Sequence, residues 1–320
     1  MSAGTAGQEH RVAEIMDRLT LVPDDARRFE VSLAEADRLM RLPADLIASM
    51  TGAGLRCRPS PGGPLFDRTD LMNVSMHLGT GSAAMAARRF WAAGLNPPPQ
   101  VRSRPTTIYY QPRCPDPDHP GSCRFGVATP GGILECRGEP GGRAPVAEVT
   151  VEIASDWPAL PPQVTAVLDT TAGLHFMFLP PALRSDLDFA VRTGLCACEG
   201  AARLLADEGT RRGLRARTRF GLIVAPPYST HHNWAEFLVD DRWVPVDPVL
   251  LDSMLNWQLL RPDIWHRNRS IGPVVVGLSD QRVALATHNG SPAAVSLSTR
   301  RLAPVHRGIP IPAGPDAASR

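Results

Sequence analysis

Apolar positions repeat along this chain with two periods, and the switches between them outline its elements. Val12, Ile15, Met16 and Leu19 fall at helical spacing, which predicts an amphipathic helix. Ser32-Leu-Ala-Glu35 has the pattern of a capping box and predicts a helix start. Pro43 suits the first helical position before Leu46, Ile47 and Met50, and Gly52 and Gly54 close that element. Asp67 or Thr69 can cap a helix carrying Leu71, Met72, Val74 and Leu78; Ser82 to Ala93 predicts another, stopped by Gly94. After a Pro-rich stretch over 96–105, a candidate boundary, the period shortens to two. Strands are expected around Thr107–Tyr110, Arg124–Ala128, Ile133–Cys136 and Ala147–Ile153. Further on, 250–260 reads as helical, and 272–278, 282–287 and 295–297 as short strands. The pattern is that of an α+β protein.

The most informative stretch is 194–248. Cys198, Ala201, Leu204 and Leu205 begin a helical stripe, with Glu199 in its first turn, Arg211 and Arg212 at its end, and Gly213 as its stop. Cys198 is therefore expected at a helix N-terminus, which favours the thiolate. Arg217 to Val224 reads as a half-buried strand, ended by Ala225-Pro226-Pro227. His232–Val239 and Trp243–Val249 flank Asp240-Asp241, which predicts a hairpin with a two-residue turn. In that register Val239 faces Arg242 and Trp234 faces Asp247. His232 shares the face of Trp234 because side chains alternate. It becomes a diagonal neighbour of Asp247, about 7–8 Å away at Cα. His231 should point the other way, as a solvated loop histidine.

A thiol, an imidazole and a carboxylate are the parts of a nucleophile, a general base and an orienting group. The segment also resembles the core of the transglutaminase-like superfamily of papain-like thiol enzymes. The matching residues are Cys198, Gly213-Leu-Arg-Ala-Arg217, His232-Asn-Trp234-Ala-Glu236 and Trp243-Val-Pro-Val-Asp247-Pro248. The resemblance implies Cys198 as nucleophile, His232 as base and Asp247 as orienter. Family members usually place Gly-x-Cys at the helix start, which Gly194-Leu195-Cys196 would satisfy. Spacing to Gly213 and Arg217 favours Cys198, leaving Cys196 as a buried small hydrophobe. The backbone N–H of Cys198 is one donor for an oxyanion. Trp157 and Gln163 are candidates for the second, with Trp234 as a further substrate-site residue. For Trp157, packing is the default reading.

Composition narrows the partners. Net charge is only +2, so it gives no claim on nucleic acid or membrane. All 34 basic residues are Arg, so no Lys can act as a catalytic amine. No apolar signal region occupies Met1–His10, and no run of about 18 apolar residues exists. Six cysteines without such a signal suggest reduced thiols and a cytoplasmic setting. Cys114, His119, Cys123 and Cys136 lack the tight Cys-x2-Cys knuckle of zinc sites. Incidental thiols in a Pro/Gly-rich loop are the preferred reading, zinc stays open, and no metal or other cofactor is assigned. Residues 42–78 faintly resemble a helix-turn-helix or wing-type module, but basic residues do not cluster on one helix, so nucleic-acid binding is not expected.

The expected organisation is an N-terminal helical region over 1–95, a Pro-rich linker and β-rich segment over 96–155, a transglutaminase-like core over 156–300 and a mobile tail over 301–320. The expected function is acyl transfer to an amine through an acyl-enzyme, from a carrier thioester or a glutaminyl-type amide. A carrier protein is then a candidate partner. The alternatives are a cysteine peptidase or amidase on the same fold, and a non-catalytic binding or scaffold protein.

Overall fold

Local capping chemistry starts most helices where the sequence places it. In a computed structural model, which describes residues 3–96 and 103–302, α1 spans Ala3–Thr20, and Ile15, Met16 and Leu19 are buried. Strand β1 (Phe29–Val31) leads into α2 (Leu33–Met40), whose Ser32 and Glu35 form the reciprocal capping box. Helix α3 (Ala44–Gly52) starts one residue after Pro43, which is its N-cap rather than its first helical residue. Strands β2 (Cys57–Arg58) and β3 (Leu65–Asp67) follow, then α4 (Arg68–His77), capped by Asp67, and α5 (Ala83–Leu95), capped by Ser82. Gly94 lies inside α5 rather than stopping it, because a Cβ there would meet Val274 at 2.7 Å. The helix needs the missing side chain to approach its neighbour.

This N-terminal part has the order helix, strand, two helices, two strands, two helices, with sheet order β1-β3-β2. Helix α3 contains no basic residue. Its core is continued by Met177, Phe189, Leu195 and Ala197. Leu195 and Ala197 stand directly before Cys198, so apolar packing across position 95 anchors the segment that delivers the thiol.

The β-rich region is β4 (Ser103–Pro112), β5 (Cys123–Thr129), β6 (Gly132–Gly138) and β7 (Ala147–Ala154). Next come α6 (Pro162–Leu168), β8 (His175–Phe176), α7 (Leu187–Thr193), β9 (Leu195–Cys196) and α8 (Cys198–Arg211). Then follow β10 (Ala216–Ile223), β11 (Thr230–Val239), β12 (Arg242–Val246) and α9 (Pro248–Asn256). The chain continues with β13 (Val275–Ser279), β14 (Ala286–His288), β15 (Ser291–Pro292) and β16 (Val295–Arg301). The fold is α+β, as the sequence pattern predicts. The tail expected to be mobile lies, but for residues 301 and 302, outside the described residues, as does most of the Pro-rich linker.

Three sheets matter for the sites. The central one is antiparallel, in the order β12-β11-β10-β13. The other two are β15-β14-β5-β6 and β16-β4-β7, so β14 and β16 pair back onto the strands of 103–154. Leu222 of the central sheet, and Val224 just past the end of β10, pack with Ile108, Tyr110 and Val127 of those sheets. Helix α8 lies on β11, with Leu205 packed among Ala235, Phe237 and Val239. Gly209 permits that approach, since a Cβ there would stand 2.5 Å from the Phe237 ring. Among the described residues no helix is long and apolar enough to cross a membrane.

Candidate active site

The hairpin forms in the register read from the sequence. Val239 pairs with Arg242 and Ala235 with Val246. Asp240 and Asp241 both have positive φ, 48° and 59°, as a type I′ turn requires. One expectation fails in detail. Strand β12 ends at Val246, and Asp247 is the N-cap of α9, with Pro248 at the first helical position. An Asp followed by Pro is itself a helix-start signal, and it competes with the alternation that extended the strand to Val249.

This placement divides the Asp247 carboxylate between two donors. Oδ1 accepts from the Leu250 N–H at 2.8 Å. Oδ2 is 2.8 Å from His232 Nε2. Both side chains are buried, at about 5% exposure. The other ring nitrogen of His232, Nδ1, is not used by Asp247, and His232 and Cys198 are close enough for each to shift the titration of the other. Cys198 is the first residue of α8 and is half-buried. Asn233 Nδ2 donates towards its sulfur at 3.7 Å.

The electrostatics follow from that contact set. Burial alone would raise the Cys198 thiol pKa. The His232 charge, with hydrogen bonds from His232 and from Asn233, outweighs it, and the thiol lies below its ordinary value. Burial opposes charge on His232 too, but the Cys198 thiolate and the Asp247 carboxylate push it up to about 9. The two shifts describe one thiolate–imidazolium pair. Cys196, by contrast, is buried in β9 with its thiol pushed strongly up, chiefly by burial. It is the inert thiol of the two.

Supporting residues account for the rest of the motif. Arg217 and Glu236 are register partners across β10 and β11 and form an ion pair at 2.7 Å. Glu236 also accepts from Trp234 Nε1 at 3.0 Å. The Trp234 ring lies parallel to His232, 6.5 Å between centroids. Gly221, opposite His232, leaves room for it, since a Cβ there would stand 2.7 Å from the indole. Trp234 is 1% exposed, so it backs the imidazole rather than lining a substrate surface. Trp157 is also engaged elsewhere. Its Nε1 donates to the Ala154 carbonyl at 2.9 Å and its ring packs on Gly272, so its indole N–H is already engaged. Gln163 is exposed on α6. His231 is exposed as expected, but it sits in β11, paired with Leu222, rather than in a loop.

Three residues near the thiol escaped the sequence. Asn233 is the donor described above, with only its place after His232 to single it out. The others come from α5. The Trp91 ring is 6.2 Å from His232. The Arg88 guanidinium lies 4.3 Å over that indole and is drawn to the Cys198 charge. Both are buried, and burial brings Arg88 down only to about 10, so it stays charged at neutral pH. Arg88 Nε and Trp91 Nε1 have no hydrogen-bond partner among the described residues.

Comparison with known proteins adds little. No family model matches the chain, and no curated protein matches it significantly. One solved structure is similar, a chain described as "a Putative Cysteine Protease from Cytophaga hutchinsonii". It is 10% identical, with 63% of this chain and 91% of that chain covered, at a TM-score of 0.32. At that score the likeness carries no argument, and the site stands on its own geometry.

Proposed function

We propose that this chain is a cysteine-nucleophile acyl-transfer enzyme of transglutaminase-like type, with Cys198 as nucleophile, His232 as general base and acid, and Asp247 as the residue that orients His232. The observation carrying this is the buried His232–Asp247 hydrogen bond beside a thiol at a helix start, a thiol whose pKa the charge of His232 lowers. The Cys198 thiolate attacks the donor carbonyl and the C–O π electrons move to oxygen. The oxyanion is met by the Cys198 backbone N–H and by Asn233 Nδ2. As the tetrahedral intermediate collapses, the leaving thiol or amine takes a proton from His232. An amine then attacks the thioester acyl-enzyme, His232 accepts its proton, and Cys198 leaves with an amide formed.

Transfer to an amine is favoured over hydrolysis by the roof that α5 makes. Buried Arg88 and Trp91 limit the water beside an acyl-enzyme, and their unspent donors suit a carbonyl or carboxylate on the acyl donor. Carrier-bound thioesters and glutaminyl peptides are the donor classes proposed, with a carrier protein as partner in the first case. The test is turnover of a panel of carrier thioesters, glutaminyl peptides and small amides, with and without added amines. Amide product that grows with amine concentration at the expense of free acid supports transfer. Free acid alone, independent of amine, identifies a peptidase or amidase instead.

A further inference from the structure

A second cluster of thiols and imidazoles lies in the β-rich part of the chain, and acyl transfer makes no use of it. Cys114 and His119 stand in the connection between β4 and β5, Cys123 opens β5, and His288 ends β14. The pairing of β14 with β5, His288 opposite Phe125, brings the last of these beside the connection. One ligand atom from each of the four residues lies within 4.8 Å of the other three.

The distances suit a metal ion. His119 Nε2 is 3.2 Å from Cys123 Sγ, and His288 Nε2 is 3.7 Å from Cys114 Sγ. Zinc–sulfur bonds of about 2.3 Å and zinc–nitrogen bonds of about 2.0–2.1 Å give tetrahedral edges of roughly 3.3–3.8 Å. These two contacts are therefore at or near edge length, and the widest separation needs a contraction of about 1 Å. His119 Nδ1 is 2.9 Å from the Pro120 carbonyl. Donating its proton there fixes the tautomer that leaves Nε2 free to ligate, which is how metal-bound histidines are commonly held. Cys123 and His288 are buried, and the Phe125 ring stands 5.2 Å from His288 as an apolar wall. Incidental thiols would not explain a second imidazole reaching the pair of sulfurs from 174 residues along the chain.

We propose that Cys114, His119, Cys123 and His288 bind one zinc ion in a closed, four-coordinate structural site. Two thiolates and two imidazoles in a tetrahedral arrangement select zinc, and four protein ligands leave no open position for catalysis. Cys136, which the sequence groups with the first three, is not a ligand. It pairs opposite Phe125 from the other side of β5, two strand spacings from His288, or about 10 Å. The ion would clamp the β4–β5 connection to the end of β14, a staple between an early and a late segment of the chain.

The experiment is metal analysis of the full chain, purified under reductant without chelator from zinc-supplemented medium. About one zinc per chain is expected. Cys114→Ser and His288→Ala should each lower occupancy at least about tenfold, whereas Cys136→Ser and Cys198→Ala should keep it. Should the ligand variants fail to fold, cobalt(II) titration of the metal-stripped wild-type chain decides. Tetrahedral ligand-field bands with sulfur-to-cobalt charge transfer, saturating at one equivalent, support the site. The proposal is overturned by wild-type chain that carries no zinc and gives only the aquo-cobalt spectrum. Full zinc retention in both ligand variants, or a Cys114–Cys123 disulfide in the reduced preparation, would overturn it as well.

Discussion

Replacing Asp247 by Asn separates the two tasks its oxygens perform. Asn is as good an N-cap as Asp, so its Oδ1 keeps the Leu250 N–H and α9 still starts at Pro248. The cap is therefore kept, and the loss of stability, on the order of 1–3 kcal/mol, comes from the buried His232 losing its charged partner. The other half of the side chain becomes an NH2 group facing His232 Nε2. Two donors cannot share one hydrogen bond, so the imidazole proton must move to Nδ1, the nitrogen that Asp247 does not use. A ring protonated there cannot take the thiol proton, and the charge that favours the imidazolium is gone. The corresponding substitution in a serine-protease triad lowers kcat about ten-thousandfold, or about 5.4 kcal/mol at 1.36 kcal/mol per decade. A loss of that order is expected in the acylation of Cys198 by a small activated aryl ester, followed by leaving-group release. The iodoacetamide rate of Cys198 should also rise only at more alkaline pH than in the wild type. Asp247→Ala provides the contrast. It loses the cap as well, and should unfold about 1 kcal/mol more easily in urea. Superimposable iodoacetamide profiles for wild type and Asp247→Asn, or an acylation rate within tenfold of wild type, would refute the reasoning.

Other outcomes follow from the same contacts. His232→Ala should abolish acylation, whereas His231→Ala, at an exposed position near the start of β11, should stay within a few-fold by kcat/KM; equal losses in the two would be inconsistent with the site. Asn233→Ala should slow acylation roughly a hundredfold or more if its amide meets the oxyanion, with the KM for the donor little changed. The pair needs His232 protonated, so activity should fall as pH rises through about 9; an alkaline limb near the ordinary histidine range would contradict the pair. Glu236→Leu strands the buried Trp234 N–H and should cost about 1–3 kcal/mol of stability in urea unfolding without moving the thiol's alkylation profile.

What the sequence could reveal was local. The Asp240-Asp241 turn set the hairpin register, and the register alone put His232 and Asp247 on one face. The stripe from Cys198 to Leu205 and the Gly213 stop bounded α8 to within a residue. The capping residues Ser32, Asp67 and Ser82 were legible for the same reason, since each acts within four positions of itself. Contacts made by distant segments were not legible. Trp91 reaches His232, with Arg88 over its ring, from a helix more than 100 residues away, and no periodicity within α5 distinguishes a side chain near a thiol from one in a core. His288 was missed in the same way. Cys136 was the nearest residue of suitable type along the chain, but strand order in the sheet, not sequence distance, decides which side chains meet. Trp157 and Gln163 were chosen for lying upstream of the thiol, and packing claims the first while solvent claims the second.

The central claim is that Cys198, rather than any other of the six cysteines, carries the acyl group through the action of His232 and Asp247. The direct measurement is peptide mapping by mass spectrometry of the adduct left by a thiol-directed acylating probe at neutral pH, in wild type, Cys196→Ala and Cys198→Ala. A single acyl adduct on Cys198, retained in Cys196→Ala and absent from Cys198→Ala, is predicted. An adduct on Cys196, or acylation that persists in a folded Cys198→Ala chain, would contradict the account.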